Sequence, residues 1–225
     1  MFLIKRLFSF AFEMVKMEYS DKQKQIILSA ERLFSEKGYE GTSVRDIADE
    51  AGVNLAMISY YFGSKDKLME ALFEQRTTNI KSKVENLLLD EHKTPLEKIE
   101  SLADDYINRI IDKHLFFKIW ICEEVVNKNP VILKLINDLK KRNADEIGKL
   151  IKDGQQKHVF KENIDVLLMM NTLIGTITQT MITIDYYREY YDLNKISDVK
   201  FYQKIKQKLR NHIRILFKAL LSYEA

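Results

Sequence analysis

Residues 43–62 read SVRDIADEAGVNLAMISYYF, two short amphipathic segments joined at a glycine. Val44, Ile47, Ala48 and Ala51 share a face at helical spacing, and Ser43 with Asp46 forms a capping box at its start. Gly52 ends this first segment, where the backbone needs a positive φ. Asn54 caps a second helix that carries Ile58 and Phe62 and closes at Gly63. Ala48 stands where the two helices approach, and a larger side chain there would push them apart. Ile47, Val53 and Ile58 supply an apolar wedge. An alanine, a glycine and three apolar positions coincide, which predicts a helix-turn-helix whose second helix can enter a major groove. The alternative for the same residues is an ordinary helical hairpin inside a bundle.

Outward from this segment the signals are also helical. Ser20 with Gln23 forms a capping box, and Ile26, Ile27, Ala30, Leu33 and Phe34 repeat at helical spacing until Gly38. Downstream the units lengthen. One helix is expected from Leu68 to about Leu89, and Thr94-Pro95-Leu96-Glu97 opens another with a cap, a proline at the first helical position and a box-closing glutamate. Further helices are expected over His114–Val126, from Asn129-Pro130 to about Gln156, from Asp165 to about Tyr187, and from Asp198 to about Tyr223. In the last, Tyr202, Ile205, Leu209, Ile213, Leu216 and Leu220 recur at steps of three and four, a seam suited to packing along another helix.

The composition agrees with an all-α fold. With 46% hydrophobic and 31% charged residues the chain is globular, while 7 Gly and 2 Pro in 225 residues are too few for sandwiches, barrels or glycine-rich nucleotide loops. Four of those glycines (Gly38, Gly41, Gly52 and Gly63) fall in the head. The expected organisation is an N-terminal extension at 1–19, a three-helix domain with the helix-turn-helix at 20–66, and a larger helical bundle domain at 67–225. The extension is read as disordered, as a misassigned start before Met17, or as a short amphipathic helix. Its apolar run from Leu7 to Phe12 is too short, and too interrupted by Glu13 and Lys16, for a secretory signal. Val166–Ile184 is uncharged and close to spanning length, but it holds Asn171, Thr172, Thr176, Thr178, Gln179, Thr180 and Thr183. That polarity suits core or subunit interface rather than lipid. A single cysteine, Cys122, excludes a disulfide framework and fits a reducing cytoplasm.

At this point the head resembles the TetR (tetracycline-repressor-like) family of transcriptional regulators. The matching residues are Phe34, Gly38, Tyr39, Thr42, Ser43, Ile47, Ala48, Ala51-Gly52-Val53, Tyr61-Phe62, Ser64-Lys65 and Leu68. The resemblance covers about fifty residues after Ser20; beyond them only length and helical content agree. It implies an all-helical homodimer that pairs through its last two helices, binds palindromic operator DNA and is released by a small-molecule effector, most often as a repressor. Carried over by motif, Thr42 and Ser43 would bond phosphate, and Arg45 would reach phosphate or the groove. Asn54, Leu55, Ala56, Met57 and Ser59 would lie on the base-facing part of the recognition helix. Tyr60 and Tyr61 would brace or contact the backbone, and Lys65 would pair with phosphate. Ser59 stands where many relatives carry a larger polar residue. With Leu55, Ala56 and Met57 facing the groove, readout would rely on apolar contacts and DNA shape.

Charge gives mild support. Residues 20–67 hold 7 Lys/Arg against 8 Asp/Glu, a net of −1, whereas the final thirty hold 7 against 2, a net of +5. Attraction to DNA would therefore come from a few placed cations and helix N-termini rather than a broad basic face. The basic last helix is read as a solvated face. In the body, Phe116, Phe117, Trp120, Glu123, Met170, Asn171 and Gln179 are candidates for an effector pocket, since apolar walls with a few polar groups suit a small ligand. Plain core is the competing reading for each of them. The four histidines are dispersed, there is no HExxH, GxSxG, P-loop or GxGxxG, and adjacent pairs such as Asp104-Asp105 point apart on a helix. No enzyme, metal site or cofactor is expected, and no membrane partner. The competing functions are a constitutive or architectural DNA-binding protein and a helical protein-interaction adaptor.

Overall fold

The computed structural model describes residues 19–77, 80–127 and 129–223, so the expectations for residues 1–18 lie outside the described residues. All regular elements among the described residues are helical, and the chain divides into two compact units, Met1–Leu72 and Phe73–Ala225.

The first unit contains α1 (Asp21–Lys37), α2 (Val44–Glu50), α3 (Leu55–Phe62) and the start of α4 (Lys65–Thr77). Ser20 and Gln23 cap α1 reciprocally. Ile26, Ile27, Ala30, Leu33 and Phe34 of α1 are buried, as are Ile47, Ala48, Ile58, Phe62 and Leu68 of the following helices. The Gln25 amide donates to the Ala51 carbonyl at 2.8 Å, which ties α1 to the end of α2.

The second unit holds α5 (Ile80–Leu89), α6 (Pro95–Asp112), α7 (His114–Cys122), α8 (Pro130–Gln156), α9 (Val166–Ile182), α10 (Ile184–Tyr190) and α11 (Asp198–Leu221); Glu123–Asn127 continues α7 as a π-helical turn. The stretch 68–89, expected as one helix, thus carries α5 and most of α4, with residues 78–79 outside the described set. The core joins Ile99, Leu102 and Ile107 of α6, Ile147 and Ile151 of α8, Leu173 and Ile177 of α9, and the inner row of α11. Lys98 is buried here, and its ammonium donates to the Leu88 carbonyl at 3.0 Å with Asp153 at 3.9 Å. A buried cation requires such partners.

Two expectations are corrected. The helix read from Asp165 to Tyr187 is two helices, α9 and α10, bent by 75° at Thr183. Thr172, Thr176, Thr180 and Thr183 each donate their hydroxyl to the carbonyl four residues back, at 2.6 to 2.9 Å. Such back-bonding competes with the helical ladder and bends helices. Second, the buried row of α11 is Phe201, Ile205, Leu209, Ile213, Phe217 and Leu221, while Leu220 is exposed and Tyr202 and Leu216 are half-buried. Steps of four form an inclined ridge that packs obliquely on a neighbour, here α6. The mixed three-four spacing in the sequence arises because the flanking Tyr202, Leu216 and Leu220 are apolar too, although they lie outside the buried row.

The end of α8 is locked by a close approach. A Cβ on Gly154 would lie 2.1 Å from the ring of Phe160, which is buried and begins the segment bridged to Ser222. Gly154→Ala is expected to destabilise the protein by about 1–3 kcal/mol through overpacking, read as a lower urea midpoint. At the start of α6, the Thr94 amide and hydroxyl bond the Glu97 carboxylate, which holds it below the ordinary carboxylate range. A carboxylate lowered in the folded state stabilises above its unfolded pKa, and the contribution disappears as pH falls through the folded value. The melting-temperature gap between wild type and Glu97→Ala should therefore be present at neutral pH and shrink below about pH 4.

Candidate nucleic-acid interface

The turn between α2 and α3 is tight. Gly52 adopts φ 59°, and the Val53 amide reaches back to the Ala48 carbonyl at 3.0 Å. Ala48, Ile47 and Ile58 are all buried, and α2 packs against α3. Asn54 then caps α3, its side-chain oxygen accepting from the Ala56 amide at 2.9 Å.

Only Ile58 and Phe62 of α3 are buried. Leu55, Ala56, Ser59 and Tyr60 are exposed; with 100° per residue they span one continuous arc of about 140° that begins beside Phe62 and runs away from the buried pair. Tyr60 is 83% exposed and meets Tyr61 edge-on at 5.1 Å. Met57 and Tyr61 sit half-buried at the margin. Asn54, Ser43 and Arg45 are exposed as well. The face therefore presents a cation, a cap, small polar groups and apolar side chains, and offers few bidentate hydrogen-bonding groups to bases.

Two expected phosphate ligands have other roles in the structure. Thr42 is buried, and its hydroxyl donates to the Gly38 and Leu33 carbonyls at 2.8 and 3.3 Å. Lys65 donates to the Tyr39 and Thr42 carbonyls at 3.0 and 3.2 Å and lies 4.1 Å above the Tyr39 ring. Tyr39 in turn donates to Asp66 at 2.5 Å. Both residues hold the loop that leads into α2. Ser43 is exposed but engaged with Asp46, whose carboxyl is held low by the Ser43 hydroxyl and amide. The loop clamp had no sequence signal, because Lys65 and Tyr39 are 26 positions apart.

The effector candidates separate into two groups. Phe116 and Trp120 of α7 cluster with Phe73 of α4, the two phenyl rings 4.8 Å apart and Trp120 stacked on Phe73 at 5.6 Å. Phe117 and Met170 belong to the core cluster or its edge, and Glu123 is buried in the π-helical turn. Asn171 and Gln179 do not join them. They lie on the exposed side of α9 with Leu168, Thr172, Gly175 and Ile182, opposite the buried Met169, Met170, Leu173, Ile177 and Thr180. An uncharged polar stripe on an apolar helix has the same pattern whether it faces a pocket or the outside, and only the packing decides between them.

Other groups, unrecognised in the sequence, are buried in the body. Asn143 of α8 donates to the Tyr106 hydroxyl at 3.2 Å, and burial pushes that phenol up to about 12, so it stays protonated. Gln75 Oε1, Asn143 Oδ1 and Thr178 Oγ1 are buried without a hydrogen-bond partner. No single helix among the described residues is long and apolar enough to cross a membrane.

Comparison with known proteins gives two family matches that together run from residue 26 to 207. Residues 26–72 match the model of bacterial regulatory proteins of the tetR family, and residues 73–207 match the C-terminal region of YsiA-like proteins. The chain is 27% identical over 177 residues to the fatty acid metabolism regulator protein of Bacillus subtilis strain 168, covering 79% of this chain and 90% of that one. It is 22% identical over 171 residues to the transcriptional repressor KstR2 of Mycobacterium tuberculosis, covering 76% and 84%. Among solved structures, the transcriptional regulator FadR from Bacillus subtilis in complex with stearoyl-CoA superposes with a TM-score of 0.62 at 22% identity, covering 84% of this chain and 96% of that one.

Lys65→Ala should lower stability by about 2 kcal/mol, the scale of hydrogen bonds to a charged group, while the slope of log affinity for duplex DNA against log salt stays unchanged. Arg45→Ala should do the reverse, reducing that slope by about 1 for one lost phosphate contact.

Proposed function

The chain belongs to the TetR family of bacterial regulatory proteins, and from that premise we propose that it is a repressor that holds palindromic operator DNA as a homodimer and leaves it on binding an amphipathic effector of the fatty acyl class. The observation that carries the DNA-binding part is the exposed arc of α3. A helix capped at Asn54 and buried only along Ile58 and Phe62 presents its outer side to a groove.

The α9 stripe supports the dimer. Leu168 and Ile182 are more than 60% exposed, and the face between them carries no charge. On α11, Ile215 is 70% exposed opposite the buried row. Apolar helix faces of this kind are ordinarily covered, and the last two long helices carry both. A twofold pairing would set the separation of the two α3 helices, which operator half-site spacing must match.

The effector class rests on the YsiA-like match over 73–207 and on the relative named for fatty acid metabolism.

Selection from random duplexes with the purified protein should enrich a palindrome, with Leu55→Ala or Tyr60→Ala changing the preferred half-site. Loss of any sequence preference would overturn the regulator reading. Stearoyl-CoA should raise the melting temperature and weaken operator binding at least tenfold; a ligand with no differential affinity for the two states would shift nothing. Leu168→Glu should yield a monomer in sedimentation and abolish tight operator binding.

A further inference from the structure

A cleft of about 660 Å³ opens between α5 and α6, within the size range of small-ligand sites. Its lining is polar and charged, unlike the aromatic cluster around Trp120. At its centre the Asp105 carboxylate holds two cations at once, Lys83 of α5 at 2.6 Å and Arg109 of α6 at 2.6 Å. Asp105 remains below the usual carboxylate range even though desolvation, the largest single influence, pushes it upward; the bonds and charges of Lys83 and Arg109 together outweigh that cost. The site is thus net positive even at its own carboxylate.

The second carboxylate of the lining, Asp112, is covered by Lys206 of α11 at 2.6 Å, and Lys113 adds a further cation to the rim. The lining itself therefore carries three cations, Lys83, Arg109 and Lys113, against two carboxylates. Asn108 completes the arrangement: its side-chain oxygen accepts from Arg210 at 2.7 Å, which fixes the amide so that its nitrogen is the donor end left to a ligand. Arg109 meets Asp105 through Nη2, and a guanidinium carries five N–H donors in a planar fork that suits phosphate oxygens. Asp105 acts as a brace that holds both cations in position before any ligand arrives, and lowers the ordering cost of binding.

We infer that this cleft is a binding site for a phosphate-bearing ligand, engaged by Lys83, Arg109 and the Asn108 amide. Such a group comes from one of two sources, the phosphorylated head of an acyl thioester effector or a free phosphorylated metabolite. The inference stands on the cleft itself and does not require the repressor reading.

Isothermal titration of the full-length protein with 3′,5′-ADP and with pyrophosphate tests it. Wild type should bind 3′,5′-ADP at one site per chain with a salt-sensitive affinity. Arg109→Gln and Lys83→Gln should each weaken it at least tenfold, and Asn108→Asp, which adds a negative charge and keeps both cations, should weaken it as much. Thermal melts verify that each variant is folded, and Asn108→Asp provides the readout should removal of a cation unfold the chain. Binding that is equally strong in all three variants, or a wild type that binds neither probe, overturns the site. Titration with stearoyl-CoA distinguishes the sources. A matching loss in Arg109→Gln assigns the phosphate to the effector's head, whereas unchanged stearoyl-CoA binding with weakened 3′,5′-ADP assigns it to a free metabolite. The calorimetric readout involves no DNA, so failure of operator binding leaves this result intact.

Discussion

The structure of the head depends on a single steric constraint, the contact between α2 and α3 across the four residues 51–54. Position 48 is a buried alanine and position 52 is glycine at φ 59°, so the backbone can reverse and the two helices, with Ile47 and Ile58 both buried, can approach closely. Once these helices are fixed, the burial of Ile58 and Phe62 determines which arc of α3 faces outward. Lys65 and Thr42 reinforce the geometry from behind by satisfying the carbonyls of the loop before α2.

That arrangement has consequences for recognition. In the proposed complex, two cationic or hydroxyl groups that a motif reading would assign to phosphate are committed to the loop instead. The head also carries a net charge of −1 over residues 20–67. Sequence-independent attraction would then be weak, because it scales with the number of phosphates neutralised. Affinity would come from the fit of two apolar-edged helices to spaced half-sites, which makes the dimer's geometry decisive. A small change in the body that alters that spacing would be felt strongly at the DNA.

The body combines an apolar helical core with polar features of two kinds. One is the set of buried oxygens contributed by Gln75, Asn143 and Thr178 on three different helices. The other is the charged cleft around Asp105, where α5, α6 and α11 supply opposite partners.

Much was legible in the sequence where the cause is local. Capping boxes at Ser20, Ser43 and Thr94, the proline-initiated helix at Pro130 and the turn at Gly52 all depend on residues within four positions of each other, and the chain forms them as read. The helix-turn-helix was legible for the same reason, and so was the all-helical class. What only the tertiary structure decided involves residues far apart in the chain. Asn171 and Gln179 face outward because Met169, Leu173 and Ile177 bury the other side of α9, and no periodicity reveals which side of a helix apolar on both its neighbours will claim. Lys65 reaches back 26 positions to Tyr39, and Lys83, Arg109 and Lys206 gather around two aspartates from three helices. Local hydrogen bonding and sterics are written in neighbouring residues, whereas the pairing of charges and the choice of buried face follow from packing between helices.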